Sequence, residues 1–181
     1  MTRGERPMLI LFALALFGLL TWIGGEAWQA RRFAQRQRLP DGSIVELRAV
    51  TFGRIHRCFS GTVAQRLLRK FAPARLGRWI GGAEIQHQGP KDSLIFWIAH
   101  RPGGGHWFAG RGAVAVTIND RGQEGEMGDW VAPFRGESED LDAIELADFG
   151  RQDKTIRLRI YADGGQQRTR LAEFKAPNPL F

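Results

Sequence analysis

Leu94–Ala99 reads LIFWIA, six consecutive apolar residues weighted toward β-branched and aromatic side chains. A short apolar run that never alternates fits a central strand covered on both faces. The segments on either side of it are patterned differently. Toward the N-terminus, after the turn sequence Leu39-Pro40-Asp41-Gly42, Val45, Leu47 and Ala49 alternate with Glu46 and Arg48, the period of a half-buried strand. Toward the C-terminus, Val114, Val116 and Ile118 alternate with Ala115 and Thr117 until Asn119-Asp120-Arg121-Gly122 supplies turn chemistry. Ile156, Leu158 and Ile160 alternate with Arg157 and Arg159, and Asp163-Gly164-Gly165 then leads into Arg168–Phe174. Short strands separated by turns predict a mainly β fold, an antiparallel β-sandwich-like domain over residues 39–181. Its expected core is Phe96, Ile98, Val114, Val116, Leu158 and Ile160, packed between sheets.

One short amphipathic helix interrupts this plan. Thr62 can cap it with Gln65 as its capping-box partner; Val63, Leu67, Leu68 and Phe71 form an apolar stripe, and Pro73 ends it. Arg66, Arg69 and Lys70 lie away from the stripe and read as a solvated face.

The first residues belong to a different solvent. Met8–Ile23, MLILFALALFGLLTWI, carries no charge and no proline, and Gly24 to Trp28 extend it toward the roughly 20 residues that a spanning helix needs. Trp22 and Trp28 stand where interfacial aromatics are expected. The expected order is a leader over 1–7, a single N-terminal transmembrane helix over 8–28, a basic juxtamembrane linker over 29–38, and the β domain. The alternative for the apolar run is a cleavable signal peptide, cut after Gly25-Glu26-Ala27. In the linker, Arg31, Arg32, Arg36 and Arg38 are candidate contacts to lipid headgroups. More arginines follow the apolar run than precede it, which points the domain to the cytoplasm, whereas the short basic leader resembles a signal anchor and long domains translocate largely regardless of charge; the expectation is an extracytoplasmic domain, with the cytoplasmic side as alternative.

The segment Leu39–Arg57, LPDGSIVELRAVTFGRIHR, resembles the opening of a domain in a largely uncharacterised family of bacterial membrane-anchored proteins, where an LPDG turn and a strand precede a V-T-(aromatic)-G-x-x-H motif. The resemblance continues through Leu67–Gly82, the LIFWIAHR strand and the closing FKAPNP of Phe174–Pro179. It implies an anchored β-rich domain in a bacterial envelope and no activity.

The 181 residues are 43% hydrophobic and 25% charged with a formal net charge of +7, which excludes a disordered or collagenous chain. The lone cysteine, Cys58, excludes an intrachain disulfide and a four-cysteine zinc site. Of the four histidines, His100 and His106 flank a glycine-rich loop that could bring both to a metal, with His56 as a third ligand, but no H-x-x-x-H or H-E-x-x-H spacing is present. Cys58 lies near His56 without an evident orienting acid, and Ser60, Ser93 and Ser138 lie in no G-x-S-x-G elbow. No metal or cofactor is expected.

Charge is segregated along the chain. Residues 48–78 hold eight basic side chains and no acid, while residues 120–148 hold ten acids and two arginines. A basic excess offset within the domain argues against nucleic acid as partner. In the terminal hairpin, a two-residue loop at Gly164-Gly165 sets Leu158 opposite Leu171 and Arg159 opposite Arg170. Like charges directly opposite are destabilising. The face formed by Arg157, Arg159, Arg168 and Arg170 therefore needs an acidic cover, either Glu137–Asp148 or an anionic ligand or partner. The leading expectation is a non-catalytic interaction or accessory subunit of a bacterial envelope complex, held in the inner membrane and binding another membrane or envelope protein. Two alternatives are a periplasmic hydrolase or metal-dependent enzyme built on the His100–His106 loop, and a cytoplasm-facing tethered regulatory domain.

Overall fold

A computed structural model of the chain describes residues 5–33, 35–72, 80–101, 112–119, 121–136, 139–162 and 168–181. The chain divides into two compact units, Met1–Arg32 and Phe33–Phe181. In the first, α1 runs from Glu5 to Phe33 as one continuous helix. Among the described residues no helix is long and apolar enough to cross a membrane.

The second unit is mainly β. Its strands are β1 (Arg36–Arg38), β2 (Ile44–Ser60), β3 (Ala83–Arg101), β4 (Val114–Ile118), β5 (Glu124–Arg135), β6 (Asp140–Leu146), β7 (Thr155–Ala162) and β8 (Thr169–Pro177), with the helix α2 (Val63–Phe71) between β2 and β3. They form one eight-stranded antiparallel sheet in the order β1-β2-β3-β6-β5-β4-β7-β8. The meander β4-β5-β6 is thus inserted in reverse between β3 and β7. The sheet curls on itself into a nearly closed, barrel- or sandwich-like arrangement, with β5 pairing to β6 in one half and to β4 in the other.

Closure is made by two side chains. Gln35 donates to the carbonyl of Lys175 at 2.6 Å and accepts from its N–H at 2.9 Å. Gln37 does the same for Glu173, donating to its carbonyl and accepting from its N–H at 3.2 Å. A primary amide offers the same donor and acceptor as a peptide group. The β1 edge therefore satisfies alternate residues of the β8 edge without a ladder. Arg36–Arg38 is in consequence a strand of the barrel and not part of a linker, and the domain begins near Phe33.

The interior is filled by alternate residues of the long strands: Val45 and Leu47 of β2, Leu94, Phe96 and Ile98 of β3, Ile144 and Leu146 of β6, Leu158 and Ile160 of β7, and Phe174 of β8. Leu94 through Ala99 are all fully buried, as a strand covered on both faces requires. Ala115 of β4 and Ala113 just before it join the interior cluster. Val116 is buried as expected but lies outside the cluster, and Val114 is only partly buried.

The outer side of β3 is covered by its own hairpin. At the Gly53↔Ser93 pair the β2–β3 ladder breaks, and the next pair is Ile55↔Gln88, so Arg54 alone opposes residues 89–92. Gly53 at φ +121 and Asp92 at φ +63 hold the left-handed geometry of this bulge. Beyond it, Cys58 and Ile85 pack with Ile95, Trp97, Ala99, Leu141 and Ala143 as a second apolar cluster.

Removing the seam amides should loosen one edge and spare the core. The Gln35→Ala, Gln37→Ala double variant should lose about 1 kcal/mol per residue by urea unfolding, with hydrogen-exchange protection falling at Glu173 and Lys175 before β3. Phe96→Ala should cost roughly 3 to 5 kcal/mol and unprotect the whole barrel.

Candidate functional site

The bulge assembles a buried polar relay. The Trp97 indole N–H donates to Thr51 Oγ1 at 2.9 Å, Thr51 Oγ1 lies 2.9 Å from His56 Nδ1, His56 Nε2 lies 3.0 Å from Ser93 Oγ, and Ser93 Oγ donates to the Gly53 carbonyl at 3.4 Å. Indole is a donor only, so the Thr51 hydroxyl keeps its proton for Nδ1. His56 is then the Nε2–H tautomer, donating to Ser93, whose own proton goes to Gly53. Every member has one role and the imidazole is neutral. Burial holds His56 below its ordinary pKa of 6.5, against the opposing pull of Glu145. Glu145 in turn faces His87, with Oε2 3.7 Å from Nε2.

A serine 3.0 Å from an imidazole is also the start of a nucleophile and base pair. Here His56 and Ser93 are both fully buried, and the third group is a hydroxyl in place of a carboxylate. The pair offers no surface at which a substrate could meet Ser93. Cys58, two residues along, is buried and its thiol is pushed up to about 12, far from the thiolate that nucleophilic attack needs.

The acidic stretch is neutralised by arginines other than those expected. Glu139 Oε2 takes Arg48 at 2.6 Å and Arg101 at 2.9 Å, and Asp142 takes Arg135 at 2.8 Å. These acids are nearly fully buried. Each has a cation in direct contact, the condition under which a charge tolerates burial. His100 is buried at the same end of the barrel beside Asp140 and Asp142, and burial lowers its pKa. His106, its expected metal-binding partner, lies outside the described residues. Among the described residues no group of three His, Cys, Asp or Glu could hold a metal ion.

The terminal arginine face is corrected by register. The strands pair Leu158 with Phe174 and Arg159 with Glu173, and the pair next to the turn is Ala162↔Thr169, so six residues separate the strands. Gly164 and Gly165 lie outside the described residues. This register puts Phe174 into the core, which the two-residue loop would have turned outward. Arg159 binds Glu173 at 2.7 Å, Arg170 reaches the same carboxylate at 3.3 Å, and Arg168 lies 3.9 Å from Glu124. Arg157 stands opposite Lys175, so one like-charged pair remains on the hairpin. Glu173 on the same hairpin is thus the cover for Arg159 and Arg170. Of the proposed lipid contacts, Arg36 and Arg38 are exposed on β1.

A shallow cleft opens between α2 and the bent hairpin, lined by Arg57, Cys58, Phe59, Arg66, Arg69 and Glu84. Arg69 donates to the Gly82 carbonyl at 2.6 Å, tying the helix to the start of β3. The capping box at Thr62 and Gln65 is present, and the helix stops at an extended Ala72. The exposed members of the stripe are unexpected: Leu68 is 59% and Phe71 60% exposed.

Comparison with protein-family models, with curated proteins and with solved structures finds no match. Sequence reasoning gave Thr51 and Trp97 no polar role and set Ser93 aside. Only Thr51 had a local signal, in V-T-F-G-R-I-H, where Thr51, Gly53 and His56 are three members of the relay.

The relay makes the fold acid-sensitive. Above about pH 6.5 the neutral burial of His56 contributes fully; as pH falls below that, the unfolded chain gains a proton that the folded chain refuses, and stability declines toward the folded pKa. His100 acts in the same sense. Urea midpoints of the wild type should therefore drop between pH 7.5 and 5.5. His56→Gln should lose about 1 to 3 kcal/mol at pH 7.5 and show a shallower drop.

Proposed function

We propose that the protein is a single-pass, membrane-anchored binding module of a bacterial envelope, in which α1 is the anchor and the barrel a non-catalytic interaction platform. One observation carries the anchor. Phe12, Leu14, Leu16, Phe17, Leu19 and Leu20 are between 43% and 68% exposed. At about 100° per residue they point in directions spread around the helix axis, with Ala15 and Gly18 in the gap. A helix apolar on all sides is stable only inside protein or lipid. The helix has 29 residues, or about 43 Å at 1.5 Å per residue, against a hydrocarbon core of about 30 Å. In this reading lipid is the cover for the stretch Met8–Trp28, against the finding that by length and mean hydropathy no described helix qualifies as a span.

The binding assignment is supported by how the buried polar groups of the barrel are used. The relay around His56 is saturated internally, so the chemistry-bearing groups are spent on holding the bend. What the domain offers outward is a rigid surface. The resemblance of the LPDG and VTFGRIH segments to anchored envelope domains agrees with this reading.

The full-length chain should remain in the membrane fraction after alkaline carbonate washing. Leu14→Arg should cost about 2.5 to 3.5 kcal/mol of insertion and shift the chain to the soluble or aggregated fraction. Recovery of a soluble chain beginning at Trp28 would make the segment a signal peptide and remove the anchor. A topology reporter fused at Phe181 then separates the extracytoplasmic domain from the cytoplasm-facing one.

A further inference from the structure

The two ends of the sheet face each other across a seam that no ladder fills. Among the described residues β1 pairs only with β2, and β8 only with β7. The Gln35 carbonyl accepts from the Leu47 N–H at 3.0 Å, and the Leu39 N–H donates to the Ser43 carbonyl at 2.8 Å. Odd-numbered residues of this segment thus bond to β2, and in an antiparallel pair the peptide groups of the even ones, Arg36 and Arg38, point away from it into the seam. Opposite them, the seam-side peptide groups of Glu173 and Lys175 are held by glutamine side chains in place of backbone. A ladder sets backbones about 4.8 Å apart; here a glutamine side chain and its hydrogen bond lie between them. The result is an open groove of about 550 Å³ lined by Gln35, Gln37, Leu171, Glu173 and Lys175.

Both rims of the groove are cationic. Arg36 and Arg38 are exposed on β1 and Lys175 on β8, with Arg157 of β7 opposite Lys175. Among the described residues no acid pairs with any of these four. The acids beside them are engaged elsewhere: Glu46, across from Arg36, binds Arg48 at 3.4 Å, and Glu173 binds Arg159 and Arg170. We infer that the seam receives an extended acidic segment of a partner protein as an added strand, antiparallel to β8 and parallel to β1. Its peptide groups take over the glutamine bonds on one side and meet those of Arg36 and Arg38 on the other, the mode of strand addition at an open sheet edge. Alternate side chains point outward, where carboxylates meet the cations, and inward, where apolar ones cover the core. A second copy of this chain fits worse, because its edge strands carry the same cations and like charges directly opposite are destabilising. An anionic lipid meets the cations but brings no peptide groups to the edges. The inference rests on the reading of the barrel as a binding platform and names its partner's chemistry.

The test uses the full chain in phosphatidylcholine nanodiscs and a fluorescent nine-residue peptide, the length of β8, alternating glutamate and valine. Fluorescence anisotropy should show saturable binding that the lysine–valine counterpart lacks. N-methylation of the glutamate nitrogens keeps the charge and removes the donors toward β8, and should weaken binding about tenfold or more. Arg36→Glu with Arg38→Glu should weaken it as well. Gln35→Ala with Gln37→Ala, which empties the groove of its competing amides, should tighten it about fivefold per glutamine. Hydrogen exchange should slow at Arg36, Arg38, Glu173 and Lys175 when the peptide binds. Equal affinity for the N-methylated peptide would overturn the inference, since charge alone would then explain binding. So would no binding by either the wild type or the glutamine variant. Slowed exchange at Arg36 and Arg38 on adding phosphatidylglycerol without peptide would give the cations to lipid, and the same change on self-association would give the seam to a second copy; either result sinks the proposal. Protection confined to other strands would overturn the seam and leave the platform standing, while retention in the nanodisc reads the anchor separately.

Discussion

A sheet that curls but does not close leaves two rows of unpaired peptide groups, and those edges are the points at which a β domain pairs with the wrong chain. In this protein the seam between β1 and β8 is held by the amides of Gln35 and Gln37, each giving and accepting one bond with a single residue of β8. The seam closes over the interior, where Val45 and Leu47 from one side and Phe174 from the other belong to one core.

The second constraint is the bend at Gly53. A hairpin of seventeen and nineteen residues is too long to lie on one curved surface, and the bulge folds its outer half over Trp97 and Leu141. The cost of such a fold is a set of polar groups taken from water at the crease. They are satisfied in sequence from Trp97 through Thr51, His56 and Ser93 to Gly53, so the crease is rigid at neutral pH. Acid is the condition that sets its members against one another.

The sheet was legible because its signal is local. LIFWIA, the alternation at Val45–Ala49 and at Ile156–Ile160, and the Thr62–Gln65 cap each depend on near neighbours in the chain, and each is where the pattern put it. What was not legible depends on distant partners. The terminal register was decided by whether Phe174 or Leu171 could enter the barrel, which a two-glycine turn does not reveal. The same holds for the arginines: Arg159 finds Glu173 three residues from Arg170, while Glu139 is claimed by Arg48 and Arg101 from two other strands. The near-closure of the sheet turned on two glutamines in a segment that otherwise reads as a basic linker. The relay was half visible, since Thr51, Gly53 and His56 stand together in the chain, but Ser93 and Trp97 arrive only through pairing with β3.

The position of the seam has a mechanical consequence. Gln35 is tied to β8 by its side chain and to β2 by its carbonyl, which accepts from the Leu47 N–H at 3.0 Å. The three-residue strand that holds Gln37 pairs with β2. Parting the glutamine bonds would therefore open the seam like a lap joint, without releasing backbone, because β1 stays on the β2 ladder.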